Sequence, residues 1–530
     1  MNGDLPRAAG LAVPLFSLCG ADDAGSGQIL DLIPFIDWMA RWHQRVVQLL
    51  PIHETAPREA SPYTALSAFA IDPGFISAAN VIDVSASAAA QRWLLSPQVR
   101  AKLRQLHAAP LRDRYSAYAF TLRLLEFGFG EFATRSPSDE RRQRFDDFSR
   151  RNAWWLDDYA LFRAIKERRQ WANWETWPQE LQGRDSRALA RAADRLRARV
   201  RFARYLQWVA AEQWGAVRAH ARARGVLLKG DLPFVCGRDS ADVWARQDLF
   251  DASSSVGAPP DAFSPTGQAW GLPLYNWDAI RAHGYAWWRQ RARRGRDLFD
   301  MFRVDHVIGL YRTYAIPMHA GGTAGFVPQD EAAQQQQGRE VLSAMLDETG
   351  SATTVIAEDL GTVPDWARAS LTALGIPGYK VFRWERSDTR YLDPRTYPAL
   401  SVATTGTHDT ETLVQWWQEL GPGERESIIS SLGLDAVPLQ SHAPELPWSA
   451  PLHLGILQRL YESGSALTIL PLQDLFGWTE RINTPATITP RNWAYRLPVT
   501  IDALDATPEI RERMARIRDM TDATGRYDGS

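Results

Sequence analysis

Short apolar, β-rich runs recur along this chain between stretches of helical spacing, and that alternation restricts the fold more than any other feature. Residues 46–51 (VVQLLP) read as the first buried strand. Residues 226–235 (VLLKGDLPFV), 300–306 (DMFRVDH), 354–360 (TVIAEDL), 379–385 (YKVFRWE), 400–408 and 466–475 (ALTILPLQDL) follow. An eighth run is placed near residues 66–71. Apolar runs fed by crossover helices make a parallel sheet, and seven or eight of them favour closure into a barrel over an open sheet.

The expected architecture is therefore α/β: one (β/α)8 TIM barrel over residues 1–530, with large, mainly helical insertions and no C-terminal β-sandwich domain. The main insertion is placed at 82–221. Residues 86–177 are charged, Trp-rich and free of strand signals, and 186–224 read as a long amphipathic helix or helix pair. In the latter, Leu189, Ala193, Leu196, Val200, Ala203 and Leu206 recur at three- and four-residue steps, and Gly225 supplies a C-terminal stop. Arginines fill the other face, but Asp194 and Glu212 interleave with them, as on a solvated helix rather than a nucleic-acid surface. The tract 334–337 (QQQQ) reads as a loop or helix surface.

A net charge of −2 gives no field to hold a polyanion, so no nucleic-acid partner is expected. Two distant cysteines, Cys19 and Cys236, do not make a disulfide framework, and a reducing compartment is their natural setting. With no leader-like stretch at residues 1–7 and no apolar run of spanning length, a cytoplasmic protein without a membrane partner is expected. The 22 tryptophans belong mostly to the core, yet their flat apolar faces also suit sugar rings.

Three acids close three of the runs: Asp305 in FRVDH, Glu358 in IAEDLG and Asp409 in TGTHDTET. Taken singly, each could be a cap or an ion-pair partner. In a barrel the C-terminal strand ends converge on one mouth, so the three can meet despite roughly fifty residues between neighbours. Glycoside cleavage requires such a meeting, because one carboxyl must protonate the leaving oxygen while another attacks or supports the anomeric carbon. Crowding also raises the pKa of one carboxyl, keeping its proton available near neutrality. Arg303 and His306 flank the first acid and His408 the third.

These motifs resemble the signature regions of the α-amylase clan and, more closely, the 4-α-glucanotransferases of glycoside hydrolase family 77. KGDLPFV is similar to that family's first region, FRVDH to its second, IAEDLG to its third and TGTHD to its fourth. SPYTALSAFAIDP (61–73), RFARYLQWVAAEQW (201–214), DSADVW (239–244), PLQDLFG and NTPATITPRNWAYR (within 471–496) match in order. The segment 258–277, APPDAFSPTGQAWGLPLYNW, resembles the family's active-site lid, and its Pro/Gly punctuation reads as an exposed loop within 251–277.

The resemblance implies that Asp305 is a nucleophile, Glu358 a general acid and base, and Asp409 a transition-state stabiliser. It also implies Tyr63 as an aromatic platform, with Asp231, Arg303, His306 and His408 around the donor sugar and Asp261 and Trp270 on the lid. The implied reaction carries a segment of an α-1,4-glucan to the 4-hydroxyl of glucose or of another glucan, without cofactor or metal. GDLPFV lacks the Asn–His pair through which many α-amylases reach calcium. Two departures from the family pattern are IHETAPREA at 52–60 and Ala486 where glycine is usual. An α-1,4-glucan hydrolase of the same clan is the alternative reading; the lid and the missing C-terminal sandwich count against it. A glucan-binding protein that has lost its chemistry would normally have replaced one of the acids.

Overall fold

The computed structural model describes residues 5–260, 267–319, 322–387, 390–434 and 446–529. Eight parallel strands lie side by side in sequence order: β1 (Ala8–Ala12), β2 (Val46–Gln48), β3 (Leu227–Leu232), β4 (Met301–Val304), β5 (Thr354–Ala357), β6 (Gly378–Val381), β7 (Ser401–Thr404) and β8 (Leu467–Pro471). β8 pairs with β1, so among the described residues the one unladdered seam falls between β5 and β6. There the Ala357 N–H donates to the Pro377 carbonyl at 2.9 Å, and the Tyr379 N–H donates to the Asp359 carboxylate at 2.7 Å. Gly378 permits that approach, since a Cβ on it would stand 2.5 Å from an Asp359 oxygen. The result is a nearly closed (β/α)8 barrel.

Each of the seven runs singled out in the sequence overlaps a barrel strand. The eighth strand is not at 66–71 but at β1. Residues 53–71 instead form a loop tied by two isolated bridges, His53–Ile71 and Thr55–Ala65. AAGLA lacks the branched and aromatic side chains that announce a strand. Its Gly10 packs so tightly that a Cβ would sit 2.3 Å from the Val46 carbonyl oxygen.

Successive strand residues face opposite sides, and the inward set has its own logic. Ala8, Val46, Met301, Ile356, Tyr379, Val381, Val402, Leu467 and Ile469 fill the barrel as one buried apolar cluster. Toward the C-terminal ends the inward positions turn polar: Lys229 and Asp231 on β3, Arg303 on β4, then Asp305 and Glu358 just beyond β4 and β5. Asp231 is register partner to Arg303, which places their side chains next to each other.

The helices Ser186–Arg195 and Arg197–Ala223 form the expected pair, ended by Gly225 at φ +63°. The glutamine tract lies in helix Glu331–Thr349, where Gln334 and Gln337 are buried rather than on the surface. Their amides donate to the carbonyls of Pro328 and of Leu310 and Tyr311.

The stretch read as an exposed loop is also different. Phe250–Ala258 and Gln268–Tyr275 are antiparallel strands of a four-stranded sheet completed by Thr313–Pro317 and Gly325–Val327. Gln268–Tyr275 is an edge strand with register shifts, which is where Pro273 and Gly271 can be accommodated in a sheet. Asp261, expected on the lid, lies outside the described residues.

Candidate active site

Arg303 is the centre of the barrel mouth. Its Nη1 lies 2.6 and 2.7 Å from the two Asp231 oxygens and 3.4 Å from the Tyr63 hydroxyl. Its Nη2 lies 2.8 Å from Asp305 Oδ1 and 3.1 Å from Glu358 Oε2. One buried guanidinium therefore serves three carboxylates, which the planar fork of arginine can do and a lysine point charge cannot. Among the described residues no group of three or more His, Cys, Asp or Glu side chains is arranged to hold a metal ion.

Because one nitrogen reaches both, Asp305 Oδ1 and Glu358 Oε2 are at most about 6 Å apart. That bound accommodates the 5–5.5 Å carboxyl spacing of retaining glycosidases. Glu358 is pushed up to about 7 by burial, with Arg303 opposing the rise and Asp305 adding to it. The backbone N–H of His306 donates to Glu358 Oε2 at 2.6 Å. To aim that N–H, His306 takes φ +44°, a left-handed conformation costing a non-glycine residue roughly 1 kcal/mol.

Burial raises the Asp231 carboxyl pKa, against the lowering effect of Arg303. The Tyr63 hydroxyl donates to Asp231 Oδ2 at 2.8 Å. Tyr63 is carried by the loop after β2, whose course is fixed from behind. Buried Glu54 accepts from Tyr118, Tyr159 and Arg163, and Arg114 donates to the carbonyls of Ala56 and Pro57. The Tyr63 ring stacks on His408 with centroids 5.2 Å apart, and Trp493 leans on both rings.

His408 and Asp409 lie in the turn after β7, where the Asp409 N–H donates to Thr407 Oγ1. His408 Nε2 is 3.2 Å from Asp409 Oδ2, and the Asn483 amide donates to Oδ1 at 2.6 Å. Burial opposes ionisation of Asp409, yet His408 and Asn483 hold its carboxyl well below the usual carboxylate range. The Asp409 side chain remains 44% exposed, so it faces the cleft.

Trp270, on the edge strand, meets His306 edge to face at 4.9 Å. Burial lowers the His306 pKa, favouring a neutral ring there. The structure thus brings Tyr63, Asp231, Arg303, Asp305, Glu358, His408 and Asp409 together, with His306 and Trp270 along one edge. A large open cavity of about 920 Å3 is elsewhere, against the helical insertion between Arg58, Tyr115 and Trp171. The carboxylates take precedence in locating the chemistry, because cavity size carries no reactivity.

Asn483 and Trp493 are site residues that sequence reasoning passed over. Both lie within the NTPATITPRNWAYR segment, where an amide and an aromatic in a polar loop were the available signal. Lys229, the charged residue inside the apolar run 226–235, was likewise passed over. It is fully buried one layer beneath Arg303, bonded to Gln48 and the Tyr379 hydroxyl.

A family model described as 4-alpha-glucanotransferase matches residues 13–501. The 4-alpha-glucanotransferase of Chlamydia pneumoniae is 33% identical to this chain, covering 93% of it and 92% of the relative. That of Thermus thermophilus is 32% identical, covering 99% and 100%. Among solved structures, an amylomaltase from Streptococcus agalactiae in complex with acarbose has a TM-score of 0.82 at 25% identity, covering 98% of this chain and 100% of that one.

Proposed function

The chain belongs to the 4-alpha-glucanotransferase family, glycoside hydrolase family 77, and from that premise we propose how its residues divide the work of moving a segment of an α-1,4-glucan to a sugar acceptor. The observation that carries the reading is the shared hold of Arg303 on Asp305 and Glu358. It supports a retaining double displacement.

In the first step Asp305 attacks the anomeric carbon while Glu358 gives its proton to the departing 4-oxygen. A covalent β-glucosyl ester forms on Asp305 and the reducing-end fragment leaves. Glu358, now a carboxylate, takes the proton of an incoming 4-hydroxyl, which displaces Asp305 and restores the α-linkage. A carboxyl near 7 suits both assignments, since neither of its forms is strongly disfavoured at neutral pH. Arg303 balances whichever carboxylate is ionised. Asp409, ionised and open to the cleft, fits hydroxyls of the sugar as it flattens toward the oxocarbenium ion. Tyr63, backed by His408, offers its ring to the same sugar, and Asp231 and His306 add polar contacts.

Trp270 belongs to the hairpin that covers the cleft in this reading, keeping water from the ester so that a sugar hydroxyl wins, and Asp261 is proposed as a further substrate contact. Glucose and the 4-ends of maltooligosaccharides or longer linear glucans are the proposed acceptors, and the cytoplasm the proposed location. No helix among the described residues is long and apolar enough to cross a membrane. Hydrolysis as the main activity is disfavoured, since the curated relatives are named as transferases.

The test is incubation with maltotriose without added metal, followed by chromatography. Glucose plus a ladder of longer maltooligosaccharides is expected. Glucose and maltose alone would make water the acceptor and overturn the reading. Asp305→Asn and Glu358→Gln should each lose several orders of magnitude in turnover with an unchanged thermal melt.

A further inference from the structure

The helical insertion holds another cavity, of about 500 Å3, between the end of helix Ala153–Arg168, the short helix Gln179–Gln182 and the end of helix Ser186–Arg195. It shares no lining residue with the barrel mouth. Its floor is apolar: Ile165 is buried, while Leu181, Ala192 and Leu196 pack on the core yet stay only half-buried. Its polar lining is Gln170 and three arginines, Arg168, Arg169 and Arg195, with no carboxylate.

These arginines are unmatched. The acids nearby are engaged elsewhere: Glu167 with Arg163 and Arg199, Asp158 with Arg184, Glu180 with Arg191 and Asp194 with Arg197. Among the described residues, none of Arg168, Arg169 and Arg195 has an ion-pair or side-chain hydrogen-bond partner. The helix dipole favours cations at a C-terminal end, which accounts for arginine at positions 168 and 195. It does not account for Arg169, nor for the convergence of three like charges on one concavity, which an anion would relieve.

The cavity wall is also held in shape in advance. Gln170 and Trp171 both take left-handed backbone, φ +53° and +65°, which residues with a Cβ disfavour. Buried Lys166 pins that turn, donating to the carbonyls of Trp171 at 3.0 Å and Ala172 at 2.9 Å and pairing with Asp239. The last carbonyls of helix Ala153–Arg168 are capped by backbone: Ile165 accepts from the Arg169 N–H, Lys166 from Trp171 and Glu167 from Gln170.

We propose that this cavity binds a small organic phosphate, with the guanidinium forks on the phosphoryl oxygens and the body of the ester over Ile165, Leu181 and Leu196. The planar fork of arginine matches phosphate bidentately, and the volume lies in the range of small-molecule sites. Free phosphate would leave the apolar floor in water, so the ester is the better ligand. The site goes beyond the transfer chemistry and does not rest on it.

The experiment is calorimetric titration of the full-length protein with glucose 1-phosphate, with adenosine 5′-monophosphate and with inorganic phosphate, at constant ionic strength because exposed charges are screened by salt. At least one ester should bind saturably, and which one does identifies the source of the phosphate. Arg169→Gln and the double variant Arg168→Gln/Arg195→Gln should each weaken that binding about tenfold, the size of a lost charge-assisted hydrogen bond. Arg169→Lys should recover part of the loss, and thermal melts serve as the folding control. Inorganic phosphate binding as tightly as the esters, binding that survives both sets of substitutions (as it would at the barrel mouth), or no saturable binding of any of the three would each overturn the proposal.

Discussion

Replacing Arg303 separates charge from geometry in this site. Methionine keeps much of the stem and removes the guanidinium, stranding Asp231, Asp305 and Glu358 around an empty centre. Uncompensating a buried charge costs about 3–5 kcal/mol. Even the lower figure, charged to the transition state, is more than a hundredfold in rate, so kcat/KM for maltotriose should fall by about 10³. The Glu358 carboxyl gives the sharper signature. Burial sets it near 7 and Arg303 works against that rise. Loss of an opposite charge at this range shifts a carboxyl by about 1–3 units, in this case upward. Because Glu358 acts first as an acid, the falling high-pH limb of kcat/KM should move to higher pH by that amount while the plateau collapses. Arg303→Lys keeps a charge but cannot span all three carboxylates, so it should lose about 10² in rate with the limb near its original place. The assay is the pH profile of initial glucose release, with a thermal melt as the folding control. A methionine variant within tenfold of wild type, or one whose high-pH limb stays put or moves down, would refute this role for Arg303.

Other expectations concern the neighbouring groups. Asn483→Ala removes the 2.6 Å amide bond to Asp409; a hydrogen bond to a charged group is worth about 1.5–3 kcal/mol, so kcat/KM should fall at least tenfold, and an unchanged value would show that His408 alone positions the acid. Burial lowers the His408 pKa but Asp409 raises it further, to above the ordinary 6.5. Its protonated form therefore contributes stability below that pH that is lost as pH climbs through the raised value. His408→Gln should lower Tm more at about pH 6 than at about pH 9, and an equal loss at both would contradict the pairing. Ala486 has φ +58°, so Ala486→Gly should relieve left-handed strain and stabilise the protein by about 1 kcal/mol in urea unfolding; destabilisation would show that the loop tolerates alanine without strain.

Ala486 also shows what the structure adds to the sequence. It stood out as an unexplained departure where glycine is usual, and only the backbone angle shows why glycine suits the place. Seven barrel strands were legible because buried parallel strands carry apolar residues on both faces, a pattern that survives even where Lys229, Asp231 or Arg303 interrupts the run. β1 was hidden because tight packing against β2 selects small residues, which carry no strand signature. Gln268–Tyr275 read as loop because an edge strand tolerates the proline and glycine that punctuate loops.

The sequence by itself determined the barrel class and the acids at its strand ends. Both follow from local rules: side-chain alternation along each strand, and the direction in which the strands end. Tertiary structure alone decided that one guanidinium would hold three carboxylates and that Asn483 would reach Asp409 from 74 residues away. Those facts depend on strand order and register around a closed ring, which bring together residues whose spacing along the chain carries no trace of their contact.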